Sequence, residues 1–175
     1  LLRSGNLPAA IDKYREALAL RRAGAVRPSL DLADNETWLG WCLFRAGRFD
    51  EAMMHFKAAE QELQALGVPG HSLMGTIHNF YGNACAMRGD WPGAERFYRS
   101  TSEIFARCRD HYLTGYARRK IPVDGLDFLA LAQLEQGREH EAWESLGRAH
   151  GQLTTEFVMM ERWARTDSAG YRRVS

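Results

Sequence analysis

Apolar residues recur along this chain with the spacing of an amphipathic α-helix. Ala52, Phe56, Ala59, Leu63 and Leu66 are each three or four positions apart, and polar residues fill most of the positions between them. Residues with this spacing share one face of a helix, whereas a half-buried strand would alternate at every second residue. The pattern therefore predicts a helix that buries one face and exposes the other.

A short motif punctuates the helical segments at regular intervals. Glycine is followed five residues later by alanine at four places, and these glycines are Gly5, Gly47, Gly89 and Gly137. The intervals between them are 42, 42 and 48 residues. A period of this length is the sequence signature of a solenoid. The chain is therefore predicted to be all-α, a right-handed superhelical solenoid of antiparallel helix pairs.

Glycine and capping residues predict where the helices end and begin. A glycine accepts the left-handed conformation after a helix C-terminus, and Asn6, Ser29 and Asp90 can each cap a following N-terminus. Pro122 is suited to the first turn of a helix, so it is predicted to start the fourth pair. After the helix that Asn6 begins, the predicted helices are 30–46, 49–66, 72–88, 91–109, 123–136 and 139–151.

The repeats divide the chain into two parts. Residues 1–151 are predicted to form an array of about 3.5 repeats with an incomplete first member, and residues 152–175 a capping helix and a polar tail. Phe157, Met160 and Trp163 give the second part an apolar stripe that would cap the array or pack on whatever follows. Because the chain begins inside a repeat, we expect it to be a fragment of a longer protein.

Charge and cysteine content disfavour several classes of protein. With 23 basic and 22 acidic residues, the formal charge is +1, so no strong field favours nucleic acid or an anionic membrane. No run approaches the ~20 apolar residues that span a bilayer. Cys42, Cys85 and Cys108 are odd in number and lack CxxC spacing. A reduced, cytoplasmic setting is therefore expected rather than a disulfide framework.

Candidate catalytic and metal-binding residues are sparse in the sequence. His140 and Glu144 share a helix face but lack the second histidine of a zinc motif, so an exposed i,i+4 pair is the simpler interpretation. The sequence contains neither GxGxxG nor GxxxxGK[ST], which are the motifs of phosphate-binding loops. We therefore expect no cofactor and no metal, and the protein is predicted not to be an enzyme.

Aligned on the motif glycine, the repeats resemble the tetratricopeptide repeat. In that family, small residues let paired helices approach closely and large residues fill the gaps. The resemblance covers about residues 1–150, and the 42-residue period exceeds the family's usual length of about 34. This length is similar to the long-helix repeats of bacterial regulators and peptide sensors. The residues that carry the resemblance are Gly5, Leu7, Ala10, Tyr14, Ala17, Leu39, Gly40, Gly47, Phe49, Ala52, Phe56, Ala59, Tyr81, Gly82, Gly89, Trp91, Ala94, Tyr98, Leu129, Ala130, Gly137, Ala142, Leu146 and Ala149.

The fourth repeat departs from this pattern at two places. Gln133 stands where an apolar helix residue is usual, and no aromatic residue follows Gly137. In a neighbouring likeness, residues 131–149 resemble the last repeat before the caspase-like protease domain of some bacterial repeat proteins. That likeness assigns no catalytic residue to this chain.

The resemblance implies a concave groove, lined by the first helix of each pair, that binds a partner. Asn79 and Asn83 could hold the backbone of an extended peptide, Trp41 could be an apolar anchor, and Arg45 could pair with an acidic group. The alternative is that Asn83 bonds a neighbouring helix and Trp41 belongs to the core. The predicted groove residues are Thr37, Trp41, Phe44, Arg45, Asn79, Asn83, Ala86, Asp127, Leu131 and Leu134.

Two functions follow from these expectations. The first is a non-enzymatic scaffold that binds a protein or peptide, as a module of a larger bacterial regulatory protein. The second is a structural arm that positions a separate enzymatic domain, such as a caspase-like protease. Either way we expect a protein partner rather than nucleic acid or a membrane, and self-association through exposed repeat ends is a risk.

Overall fold

The structure is a computed structural model of the 175-residue chain. It describes residues 6–24, 28–107 and 115–151, with the backbone alone for residues 115–124. The predictions made for Gly5, for Cys108 and for residues 152–175 lie outside this part of the chain.

Seven helices and no strand occupy the described residues. Helices α2 to α5 begin at the residues predicted, and α2, α3 and α4 end one residue earlier than predicted. The predicted all-α class is confirmed. The helices are α1 (Leu7–Gly24), α2 (Leu30–Arg45), α3 (Phe49–Ala65), α4 (Ser72–Met87), α5 (Trp91–Arg107), α6 (Gly115–Leu134) and α7 (residues 139–151).

The predicted start of α6 is wrong. The helix begins at Gly115, eight residues before Val123, and it continues through Pro122. A proline inside a helix removes one backbone hydrogen bond and crowds the preceding turn, which disfavours the helix without forcing it to end. Proline therefore marked the wrong position as the helix start.

The motif glycines end helices as predicted. Gly47, Gly89 and Gly137 have φ angles of 76°, 74° and 73°, in the left-handed region where a side chain is strained. Each glycine therefore reverses the chain after one helix, so that the next helix packs antiparallel beside it.

Two of the three predicted N-caps form side-chain hydrogen bonds. The Oδ1 atoms of Asn6 and Asp90 each accept a hydrogen bond from the backbone N–H three residues later, at 3.2 and 3.0 Å. Ser29 occupies the cap position of α2, but its side chain makes no capping bond. Its backbone N–H instead donates to Glu62 Oε2 at 3.0 Å, which joins the start of α2 to α3.

The helices lie in two layers. Each helix from α1 to α5 contacts the next one along the chain, as the antiparallel pairing requires. Helix α2 also contacts α4, and α4 contacts α6, whereas the described residues of α1, α3 and α5 do not contact one another. The layer of α2, α4 and α6 is thus the closer-packed inner layer, as in a curved solenoid.

Paired helices approach most closely where a glycine faces an aromatic ring. A Cβ atom added at Gly40 would lie 2.6 Å from Phe56 Cε1, and one at Gly82 would lie 2.5 Å from Tyr98 Cε1. These two contacts are 42 residues apart and belong to α2–α3 and α4–α5. The small and large positions of the sequence pattern therefore meet directly inside each of these pairs.

The polar residue of the fourth pair is buried and hydrogen-bonded. Gln133 and Ser145 are only 3% and 4% exposed, and Ser145 Oγ donates to Gln133 Oε1 at 2.8 Å. A buried amide is tolerated when it has such a partner. The departure at Gln133 thus has a structural role, because it joins α6 to α7.

A buried carboxylate joins the first three helices. Glu36 on α2 is 2% exposed and accepts from Arg22 Nη2 of α1 at 2.5 Å, while its second oxygen lies 2.6 Å from His55 Nδ1 of α3. Burial alone would raise the pKa of Glu36, but the hydrogen bonds from His55 and Arg22 outweigh burial and lower it. The ionised form is therefore the one that the fold stabilises.

We predict that Gly40→Ala lowers the free energy of unfolding by about 1–3 kcal/mol, because the new methyl group overlaps the Phe56 ring in a closely packed contact. Gly147→Ala is the matched control, since Gly147 is helical and has nothing within 4 Å of an added Cβ. It should leave stability unchanged or raise it by up to about 1 kcal/mol. Urea denaturation of both variants measures the difference, and equal effects would contradict the close contact.

We also predict that Glu36→Gln destabilises the fold at pH 7 by about 1–3 kcal/mol, because it removes the charge-assisted hydrogen bonds. Since the pKa of Glu36 is lowered in the folded state, its stabilising contribution is present above the unfolded pKa. That contribution is lost as the pH falls through the lower folded pKa, so the parent and the variant should converge in acid. Glu16→Gln, which changes an exposed carboxylate, should show neither effect in thermal melts from pH 3 to 7 (about 3 and 7 being the practical limits).

Candidate functional site

The predicted groove residues fall on the three helices of the inner layer. We call the partly or fully exposed members of this set the inner face. They lie on α2, α4 and α6, and the same repeat position on each helix forms a row across the layer. The inner face consists of Trp41, Phe44, Arg45, Asn79, Asn83, Ala86, Asp127, Leu131 and Leu134.

Thr37 does not belong to this surface. It is 0% exposed, and its hydroxyl donates to the Ala33 carbonyl one turn earlier at 2.7 Å. At the equivalent positions of the next two repeats, Asn79 is half-buried and Asp127 is exposed. Exposure thus rises along the array, and repeat alignment alone overestimated the exposure of Thr37. A partner cannot contact its side chain in this conformation.

Trp41 joins α2 to α4 and keeps part of its surface exposed. Its ring stacks on Phe80 with the ring centroids 4.7 Å apart, and on Phe44 at 6.0 Å. The residue packs against the main core cluster while remaining partly accessible. Its orientation is therefore fixed by packing, and the remaining surface is available to a partner.

Arg45 covers part of the Trp41 ring. Its guanidinium carbon is 5.4 Å from the ring centroid, a distance typical of a cation–π contact. Arg45 is exposed, and no carboxylate of the described residues forms an ion pair with it. The neighbouring Arg48, in contrast, forms two hydrogen bonds with Glu51 at 2.6 Å. Arg45 thus presents an uncompensated cation on the inner face.

Asn83 is bonded to the neighbouring helix, which was the alternative expected for it. Its Oδ1 accepts from the Tyr98 hydroxyl of α5 at 2.8 Å. Tyr98 is 2% exposed, and burial, with a smaller contribution from Cys85, raises the pKa of its phenol. The phenol therefore stays protonated and donates. This bond fixes which side of the Asn83 amide carries the acceptor and leaves the Nδ2 donor without a partner among the described residues.

Asn79 lies one turn before Asn83 on α4. Its residue surface is partly exposed, but its Oδ1 atom is buried and has no hydrogen-bond partner among the described residues. A buried acceptor without a partner is unfavourable by roughly 1–3 kcal/mol. The two amides thus lie on one stripe, as predicted, but their oxygens have different surroundings.

The α6 part of the inner face combines an acid with apolar side chains. Asp127 is exposed, although partial burial raises the pKa of its carboxyl. Leu131 and Leu134 follow on the same stripe and are 43% and 44% exposed. The inner face therefore carries a cation on α2 and an anion on α6.

Sequence reasoning missed a hydrogen bond beside Trp41. Trp38 Nε1 donates to Asp34 Oδ1 at 2.8 Å, and burial raises the pKa of Asp34 despite this bond. The four-residue spacing of Asp34 and Trp38 was the available signal. The contact fixes the Trp38 ring on α2.

The described residues offer no metal or thiol chemistry. They contain no group of three or more His, Cys, Asp or Glu side chains arranged to hold a metal ion. Burial raises the pKa of both Cys42 and Cys85, which keeps these thiols protonated and weakly nucleophilic. Within the same residues, no helix combines the length and the apolar character that crossing a bilayer requires.

Comparison with known proteins supports a repeat of the tetratricopeptide type. Residues 31–107, which include α2 to α5, match the model of the tetratricopeptide repeat family. The crystal structure of BtubC (BKLC) from P. vanneervenii has a similar fold, with a TM-score of 0.74 at 15% sequence identity. The similarity covers 87% of this chain and 58% of that one, so the present chain spans little more than half of its length. No sequence among curated proteins matches the chain.

These similarities confirm the predicted solenoid fold and support helical repeats of this type. The likeness of residues 131–149 to the arm of caspase-like bacterial proteases stays a prediction, as does the long-repeat bacterial subtype.

We predict that Asn83→Ala lowers the free energy of unfolding by about 1–3 kcal/mol, because it leaves the buried Tyr98 hydroxyl without its acceptor. Tyr98→Phe in the same chain removes that hydroxyl and should recover part of the loss. A double-mutant cycle measured by urea denaturation gives the coupling of the two side chains. Additive effects would contradict the hydrogen bond.

Proposed function

We propose that this chain is a non-enzymatic scaffold that holds a peptide or protein segment against its inner face, as a module of a larger bacterial regulatory protein. Repeats of the tetratricopeptide type generally mediate protein–protein interaction, and residues 31–107 match that family. The period of 42 residues in the first repeats supports the bacterial context, since it is similar to that of bacterial regulators.

The observation that carries the proposal is the pair of Trp41 and Arg45. The Trp41 ring is held by Phe80 and Phe44, so little conformational freedom remains to be lost when a partner contacts it. The guanidinium lies over that ring and has no carboxylate partner among the described residues. An arginine in this situation favours a carboxylate, which it can bind through two parallel hydrogen bonds.

The two asparagines of α4 add a contact that does not depend on the partner's sequence. The Nδ2 donors of Asn79 and Asn83 make no hydrogen bond to the described residues, and Tyr98 orients the second amide. Backbone carbonyls of an extended segment are suitable acceptors for such donors. On this proposal, the amides hold the peptide backbone while Trp41 and Arg45 select its side chains.

Charge on the inner face gives the bound segment a direction. Arg45 lies on α2 and Asp127 on α6, with the amides of α4 between these two helices. A segment with an acidic residue at one end and a basic residue at the other matches this arrangement in one orientation and is repelled in the other. We therefore expect a partner with this charge order.

We predict that Arg45→Glu weakens binding of a selected peptide by tenfold or more, which is about 1.4 kcal/mol, because a repulsive charge replaces the carboxylate partner. Peptides would first be selected against the parent chain from a random library and then measured by fluorescence anisotropy. Arg96→Glu is the matched control: Arg96 is exposed on the outer helix α5 and undergoes the same charge change.

Equal weakening by both variants would show that general charge, and not the inner face, governs binding. If no selected peptide depends on Arg45, the proposal is contradicted and the structural-arm function is favoured.

A further inference from the structure

One end of the array exposes a surface that is buried in the earlier repeats. We call it the terminal face and define it by four residues of α6 and α7. Leu131, Leu134 and Trp143 are 43%, 44% and 69% exposed, and Leu146 is half-buried. Large apolar side chains grouped in this way indicate a surface that packs against another element.

The first complete pair has the same surface, and there it is covered. The equivalent residues are Trp41, Phe44, Met53 and Phe56, each 90 positions earlier, and all four belong to or pack against the main core cluster. Helix α4 covers them, and its Phe80 stacks on Trp41 at 4.7 Å and on Phe56 at 5.1 Å. The terminal face is thus a repeat junction over which no described helix lies.

We propose that residues 152–175 of this chain supply the helix that covers the terminal face. Phe157, Met160 and Trp163, which are spaced three residues apart, provide its apolar stripe. In the first junction, the turn and the covering helix together take 22 residues, from Leu66 to Met87. The sequence continues for 24 residues after residue 151, which is enough for the same arrangement.

A tethered segment has an advantage over other occupants of this surface. The sequence leaves α7 at residue 151, which corresponds to the end of α3 from which α4 folds back. A segment attached by a short linker has an effective concentration of about millimolar. It therefore competes successfully with a second copy of the chain at micromolar concentration.

Hydrogen exchange on the full-length chain, followed by mass spectrometry, tests this inference. The backbone amides of residues 153–165 should exchange about tenfold or more slowly than those of an unstructured peptide, because docking protects them. The double variant Leu131→Asp, Leu134→Asp should remove this protection and leave α2 to α5 protected. The matched control is Leu20→Asp, Met54→Asp, whose side chains are 70% and 72% exposed on the outer helices α1 and α3.

A second variant, Phe157→Asp with Trp163→Asp, changes the other side of the contact and should have the same effect on residues 153–165. The inference is overturned if these residues exchange like a free peptide in the parent. It is also overturned if their protection survives either variant. Protection that disappears on dilution, together with a monomer–dimer equilibrium in sedimentation, would show that a second copy covers the face instead.

Discussion

The close approach of a small residue to a large ring inside each helix pair sets the geometry of the array. Gly40 against Phe56 and Gly82 against Tyr98 bring the paired helices together at the same repeat position. The rings then extend beyond their own pair, because Phe56 also stacks on Phe80 and Tyr98 stacks on Phe128 at 5.4 Å. One contact therefore fixes both the distance within a pair and the position of the next pair.

This arrangement explains why the same repeat position has different surroundings along the chain. Each pair is completed by the pair that follows it, so that a residue facing forward is buried early in the array and exposed later. Thr37, Asn79 and Asp127 show this change across the inner layer. The functional surface is thus formed by accumulated exposure, and its composition differs from repeat to repeat even though the backbone repeats.

Most of the fold could be predicted from the sequence, because glycine in the left-handed conformation and helical spacing are local signals. The start of α6 could not, since a proline disfavours a helix interior without excluding it. The site was less predictable. A repeat alignment indicates which side of a helix a residue occupies but not what lies over it, so Thr37 was expected on a surface and is buried. The bond from Tyr98 to Asn83 depends on packing between α4 and α5, and the sequence left it as one of two alternatives.

The most direct test of the central claim is an NMR titration of the isotopically labelled chain with a selected peptide. If the inner face is the binding surface, the largest shift changes should occur at the Trp41 indole N–H, at the Asn79 and Asn83 side-chain amides, and along α2, α4 and α6. Changes confined to the outer helices α1, α3 and α5, with the Trp41 indole unchanged, would contradict the account.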